Sequence, residues 1–154
     1  MTARIVQLNT SPGGVPKLPI HEATCTTLGL VGDGHKHTKI HGGPERALCL
    51  YSIELVTALQ AEGHPVAPGS CGENVDIAGL DWTVLAVGQR FALGDEVIIQ
   101  LTRPTEPCKQ IAAAFSDRQF RRIDHDKRPG WSRWYARIER EGVLRVGQAV
   151  VALG

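Results

Sequence analysis

Residues 87–108 read VGQRFALGDEVIIQLTRPTEPC. Residues 90–93 and 96–102 are apolar-rich runs on either side of Gly94-Asp95, the pairing expected of a β-hairpin closed by a tight turn. The second run leads through Arg103-Pro104-Thr105-Glu106-Pro107 to Cys108, where a helical pattern starts with Ile111, Ala112 and Phe115 on one side. A strand therefore delivers a thiol to the start of a helical turn. Unpaired N–H groups there carry partial positive charge and favour a thiolate, which can attack or can ligate a soft metal. Arg103 and Lys109 add to that potential and Glu106 opposes it. The competing description is an inert, partly buried cysteine at a helix start.

Working outward, residues 4–8 (RIVQL) read as an opening strand before the turn Ser11-Pro12-Gly13-Gly14, and residues 17–20 as a short second one. Residues 29–43 (GLVGDGHKHTKIHGG) are Gly- and His-rich without periodicity, longer than an ordinary hairpin turn. Residues 46–51 (RALCLY) suit a buried strand. Ser52 then caps a helix through Glu62 that carries Leu55, Val56 and Leu59 on one face and stops at Gly63. Residues 73–77 and 83–87 look extended. Ser116 and Gln119 read as a capping box for a further turn bearing Phe120 and Ile123. Residues 131–138 and 148–153 read as closing strands, joined by turns at Glu141-Gly142 and Val146-Gly147. Many short strands with a few helices predict a β-rich α+β domain, a small barrel with helical insertions, occupying residues 1–154 as one unit.

Composition agrees with that outline. The chain has 154 residues, 17 glycines, nine prolines and a formal net charge of +1. Glycine at about 11% against a usual 7% disfavours a bundle of long helices. A near-neutral chain has no global field drawing it to nucleic acid or to an anionic membrane. No long apolar run is present and the N-terminus lacks a signal-peptide pattern, so a soluble cytoplasmic protein is expected. Cys25, Cys49, Cys71 and Cys108 are widely spaced with no CxxC pair and are read as thiols.

Three further groups carry potential chemistry. His35, His37 and His41 with Asp33 are ordinary zinc-ligand types, although their spacing fits no closed structural site. In Gly42-Gly43-Pro44-Glu45-Arg46 the glycines let backbone amides approach a ligand, and Arg46 offers a two-donor fork for phosphate or carboxylate; the alternative for Arg46 is an ion pair with Glu45 or Glu73. Asn74, in Gly72-Glu73-Asn74, presents an amide that both donates and accepts. Residues 118–140 hold eight basic residues against three acidic ones, interleaved with Trp131, Trp134 and Tyr135. That stretch reads as a solvated strand edge with core aromatics, as a single-strand nucleic-acid surface, or as a wall around an anionic cofactor.

Taken in order, HGGPERAL (residues 41–48), YSIE (51–54), PGSCGENV (68–75), the 87–108 run ending at Cys108, and the closing VGQAV (146–150) resemble a MOSC domain of the short stand-alone bacterial type. The resemblance implies a β-barrel-rich fold, a pterin-based molybdenum cofactor, and a sulfur-carrying or metal-ligating role for Cys108. By matching motif it implies cofactor contacts from His41, Gly42, Gly43, Arg46 and Asn74. Thr102 and Arg103 are placed near the site because they approach Cys108 along one strand. Pyridoxal phosphate is not expected, since the segment that binds it in the larger sulfurases has no counterpart in this sequence. Residues 124–134 (DHDKRPGWSRW) depart from the family pattern.

The expected function is reduction of N-hydroxylated small molecules, such as hydroxylaminopurines or amidoximes, at molybdenum. Electrons would come from a separate redox protein, because no flavin, haem or iron–sulfur signature is present. The alternative is a carrier that passes the cofactor, or a persulfide sulfur on Cys108, to a client protein.

Overall fold

The computed structural model describes residues 2–34 and 43–154. Its strands are β1 (Arg4–Thr10), β2 (Leu18–Ile20), β3 (Glu22–Thr26), β4 (Gly29–Leu30), β5 (Leu48–Ser52), β6 (Val75–Ala78), β7 (Arg90–Leu93), β8 (Val97–Pro104), β9 (Trp134–Arg140), β10 (Gly142–Arg145) and β11 (Val150–Leu153), with one α-helix, α1 (Ile53–Ala61), among the described residues. Eight of the strands form one sheet in the order β11-β7-β8-β9-β5-β6-β1-β2, and β10-β3-β4 form a second.

The hairpin read from residues 90–102 is present: Leu93 pairs with Val97 and Arg90 with Gln100. On β8, Val97, Ile99 and Leu101 are buried while their neighbours are partly exposed, the period-two alternation of a strand with one face on the core. β5 is different, with all five residues buried, because it lies between β9 and β6 and carries α1 at its end. β5, α1 and β6 make the single parallel pairing among the described residues, with Leu50 opposite Val75. Ser52 caps α1 by accepting from the Leu55 N–H at 3.2 Å. Gly63, at φ 97°, follows the helix in the left-handed conformation that a side chain would resist. Val56 and Leu59 turn into the core beside Ile77 and Leu50.

Four expectations need correction. The sheet does not close into a barrel. Its ends meet at one isolated bridge, Arg4 with Ala149, supported by three backbone hydrogen bonds between residues 3–5 and 147–150. The far half of β1 pairs instead with β2, at Leu8, Asn9 and Thr10, so no continuous ladder joins β1 to β11. Residues 83–87 are not a strand, because Asp81 accepts from the Thr83 N–H and hydroxyl and winds a 3-10 turn at Trp82–Val84. The capping box at Ser116 does not form. Ser116 Oγ donates to Gly63 O at 2.7 Å and its N–H donates to His64 Nδ1 at 3.1 Å, so a tertiary contact takes the groups a local cap needs. Finally, residues 142–145 between the two expected turns are a strand, β10, which pairs with β3.

The junction of β1, β5 and β6 is stitched by buried polar groups. Asn74 Oδ1 accepts from the Cys49 N–H at 3.0 Å, and its Nδ2 donates to Asn9 O and to Asp33 Oδ2. Asn9 Nδ2 donates to Asp76 Oδ2 at 2.8 Å, and Glu73 Oε1 accepts from the Cys71 N–H. The remaining oxygens, Glu73 Oε2 and Asp76 Oδ1, are buried and meet no other donor. A proton retained on Asp76 would supply the missing partner. In agreement, burial first, then the charge of Glu73 and its hydrogen bond, push the Asp76 carboxyl up to about 10 against the opposing Asn9 bond.

The sign of the resulting pH dependence follows. An unfolded aspartate ionises near 3.9, whereas the folded one keeps its proton to about 10, so unfolding releases a proton between these values and stability falls as pH rises through the window. One such proton contributes at most about 1.4 kcal/mol per pH unit. Asp76→Asn replaces the proton with an amide donor of the same shape, and its urea midpoint should decline less between pH 5 and pH 9 than that of the wild type. Parallel slopes in the two proteins would show that Asp76 is ionised in the fold.

Candidate functional site

The start of β5, the loop before β6, the link after β8 and the approach to β9 converge on one cleft. Arg46, Cys49, Asn74, Cys108, Arg133 and Tyr135 face it, with Lys17 and Cys71, around about 520 Å³ of space that includes its open mouth. Among the described residues lining this cleft, three are cations, Lys17, Arg46 and Arg133, and none is an acid.

Cys108 arrives where β8 expects to deliver it. Its backbone is extended, at φ −138°, and its carbonyl accepts from the Ile111 N–H to open a 3-10 turn at Lys109–Ala114. The helical turn expected there is a six-residue 3-10 turn, whose few aligned peptides make a weaker field than a full α-helix. Cys108 is half-buried whereas Cys25, Cys49 and Cys71 are buried. Burial pushes the Cys71 thiol up to about 12, with the Glu73 charge adding to the effect. Burial also raises Cys49, against the opposing charge of Arg133. These two thiols stay protonated beneath the one that the cleft presents. Cys25 lies apart, between β4 and β10, and burial with the Glu141 charge raises it to about 12.

Arg46 ends a 3-10 turn, Pro44–Arg46, that Gly43 enters at φ 84°. Neither expected ion pair forms: Glu45 pairs with Arg137 at 3.2 Å and Glu73 is buried among β6 groups. The Arg46 guanidinium instead lies 5.6 Å from the Tyr135 ring centre, a cation–π distance that leaves its fork toward the cleft. Lys17 is neutralised by Asp33, at 2.6 Å, and Asp33 also accepts from Ser11 N–H and Asn74. Asn74 faces the cleft, yet its amide is engaged by the chain on both atoms.

Arg133 is the residue that sequence reasoning missed. It precedes β9 and is 5% exposed; Nη1 donates to Cys71 O at 2.6 Å and Nη2 to Glu106 O at 3.4 Å. Its signal was the surplus of basic residues over 118–140, one reading of which was a wall around an anion. Thr102 and Arg103 do not reach the cleft. Thr102 Oγ1 donates to Glu45 O at 2.6 Å and so holds the Arg46 turn from behind. Arg103 reaches the Tyr135 ring at 5.8 Å and faces a separate hollow with Asp124, His125 and Asp126. Gly43 flanks the cleft without lining it. His35, His37, His41 and Gly42 lie outside the described residues. Among the described residues no group of three or more His, Cys, Asp or Glu is arranged to hold a metal ion, and no helix is long and apolar enough to cross a membrane.

Known proteins share this arrangement of strands. E. coli YiiM superposes with a TM-score of 0.74 at 25% identity, over 100% of this chain and 70% of that one. Geobacillus stearothermophilus YiiM gives 0.77 at 23% identity, over 99% and 75%, a likeness of fold. In sequence, Bacillus subtilis YflK is 30% identical over 117 residues, and E. coli YiiM 39% over 107. A Gibberella moniliformis protein named Reductase is 28% identical over 134 residues. This chain spans 52%, 46% and 23% of the lengths of those three relatives. The model of the MOSC domain matches residues 37–151, and over that span this chain belongs to the MOSC domain family.

Proposed function

We propose that the cleft binds the pterin-based molybdenum cofactor with Cys108 as the metal's protein ligand, and that the protein reduces N-hydroxylated small molecules. The observation that carries this reading is the half-buried thiol of Cys108 set beside Arg46 and Arg133 in a cleft whose described lining residues include no acid. A soft thiolate suits molybdenum, and a cationic wall suits a cofactor bearing a phosphate. The residues present fit the group. Cys108 would hold the metal, and Arg46, which makes no ion pair among the described residues, would hold the phosphate. His41 and Gly42 belong to the same proposal from their place in the HGGPERAL motif.

When bound, the cofactor supplies two-electron oxygen-atom chemistry. The net change is cleavage of one N–O bond, with two electrons and two protons taken up and the oxygen leaving as water. The electrons come from a separate redox protein. The chain itself orients and shields. Tyr135 supports Arg46 from below, and burial raises its phenol so that it stays neutral in the wall. Asn74 fixes the Cys49 backbone at the cleft floor, and Ile111 offers an apolar surface beside Cys108. The protein named Reductase among the relatives supports a redox role.

Metal and mass analysis of protein from a host that makes the cofactor tests the reading. Stoichiometric molybdenum and pterin are expected, and both should be lost in Cys108→Ser together with reductase activity. Full molybdenum and activity in that variant would overturn the ligand assignment. A gain of about 32 Da on Cys108 without molybdenum would overturn the enzyme in favour of a sulfur carrier. In the native protein only Cys108 should react rapidly with a thiol reagent, with the other three labelled on unfolding. Arg46→Lys keeps the charge and loses the planar fork, so cofactor affinity should fall by roughly ten- to a hundred-fold, or about 1.5–3 kcal/mol. Equal dissociation constants would direct the Arg46 side chain elsewhere.

A further inference from the structure

The surplus of basic residues over 118–140 divides in the fold. Arg133 turns into the cleft, whereas Arg118, Arg121, Arg122, Lys127 and Arg128 gather around one open hollow that no acid lines among the described residues. Arg122 is the anchored member. Its Nε and Nη2 donate to the two carboxylate oxygens of Glu62, at 2.8 and 2.6 Å, and its guanidinium lies 3.9 Å from the Trp131 ring centre. Its third nitrogen, Nη1, is buried and meets no partner. The other four cations are exposed and, among the described residues, form no ion pair.

The backbone beneath them is tied down. The Arg128 N–H donates to Asp124 O at 2.8 Å, the Trp131 N–H donates to Arg128 O, and Ser116 is fastened to Gly63 and His64. A charge array on a fixed backbone loses less freedom on binding. The 3-10 turn Lys109–Ala114, which starts directly after Cys108, packs against the turns Ser116–Arg118 and Phe120–Ile123 that carry the patch. The patch thus lies next to the cleft in the chain and shares no lining residue with it.

Exposed charges gain little from a small ion in water, whereas an array of one sign steers and orients a protein of the opposite sign. A single strand of nucleic acid needs, in addition, bare rings on which its bases stack. Arg121 lies 5.4 Å from the Phe120 ring centre and Arg122 covers Trp131, so both rings are already partnered by the chain's own guanidiniums.

We propose that Arg118, Arg121, Lys127 and Arg128 form the docking surface for the acidic face of the small redox protein that delivers electrons to the cleft. The proposal rests on the reductase reading above, in which that partner is oxidised as two electrons pass to each N–O bond cleaved.

A flavodoxin and a plant-type ferredoxin, both acidic, are the probes, and calorimetry with the purified protein at low and high salt reads their binding. Saturable binding of at least one is expected, weakening as salt rises. Arg121→Glu should weaken it severalfold, and Arg121→Glu with Lys127→Glu by roughly tenfold or more. Both residues are exposed, and circular dichroism establishes that the variants are folded. Arg145→Glu, an equal change of net charge on β10 in the second sheet, should leave binding unaltered. No binding of either probe, or equal losses in Arg121→Glu and Arg145→Glu, would overturn the proposal, as would tighter binding of a single-stranded oligonucleotide than of either protein. Turnover separates this proposal from the reading it rests on. In cofactor-loaded protein the double variant should lose activity driven by the bound redox protein and keep activity driven by dithionite, a small reductant; equal loss with both would overturn the docking role. A wild type that holds no molybdenum and is inactive with either reductant would defeat the reductase reading, while charge-dependent binding of the acidic probes would still leave the surface standing.

Discussion

The side-chain amide of Asn74 is the contact on which the rest of the structure depends. It sits at the seam where β6 passes between the parallel β5 and the antiparallel β1, and a seam of mixed direction leaves backbone groups that regular ladders do not reach. Asn74 serves both sides at once, accepting from Cys49 and donating to Asn9 O. Its second donation, to Asp33, ties in the loop that carries Lys17's counter-charge. Inside a protein such a network is strong when complete and costly when broken, so its loss would disturb both the sheet and the wall of the cleft.

Charge is distributed around this seam in two layers. Acids lie behind it, with Asp33 paired to Lys17 and with Asp76 buried beside Glu73, where burial and the Glu73 charge raise the Asp76 carboxyl. Cations lie in front, facing the opening, with the thiol of Cys108 beside them. The arrangement keeps carboxylates away from the space where a negative ligand would bind, and it does so in a chain whose net charge is close to zero. Overall composition is therefore a poor guide to the local field, which depends on which few charges the fold turns inward.

The aromatic content serves the same space. Tyr135 carries two guanidiniums near its ring, from Arg46 and Arg103, and so links the rim of the cleft to the next hollow along β8. Trp82 and Tyr51 reach past the helix to the carbonyls of Ser132 and Trp131, which fixes the chain just before Arg133. An arginine buried in this way is placed by its backbone, and these two hydrogen bonds, with Thr105 donating to Arg133 O, hold that backbone.

Much of this was legible in the residues themselves. The hairpin about Gly94-Asp95, the Ser52 cap, the Gly63 stop and the delivery of Cys108 from β8 are local events, governed by turn chemistry, strand alternation and capping within a few residues. Arg46 was legible because two glycines mark its turn. The open sheet, β10 and the failed cap at Ser116 were decided by partners distant in sequence, such as β3 for β10 and Gly63 and His64 for Ser116, whereas the Trp82 turn follows from a local contact between Asp81 and Thr83. The site divided along the same line. The accessible thiol could be picked out by its position after a strand, but Arg133 read as one of eight basic residues in a surface-like stretch. Only the fold turned its side chain inward toward Cys71 and Glu106, because burial and charge compensation are properties of segments that meet across the chain.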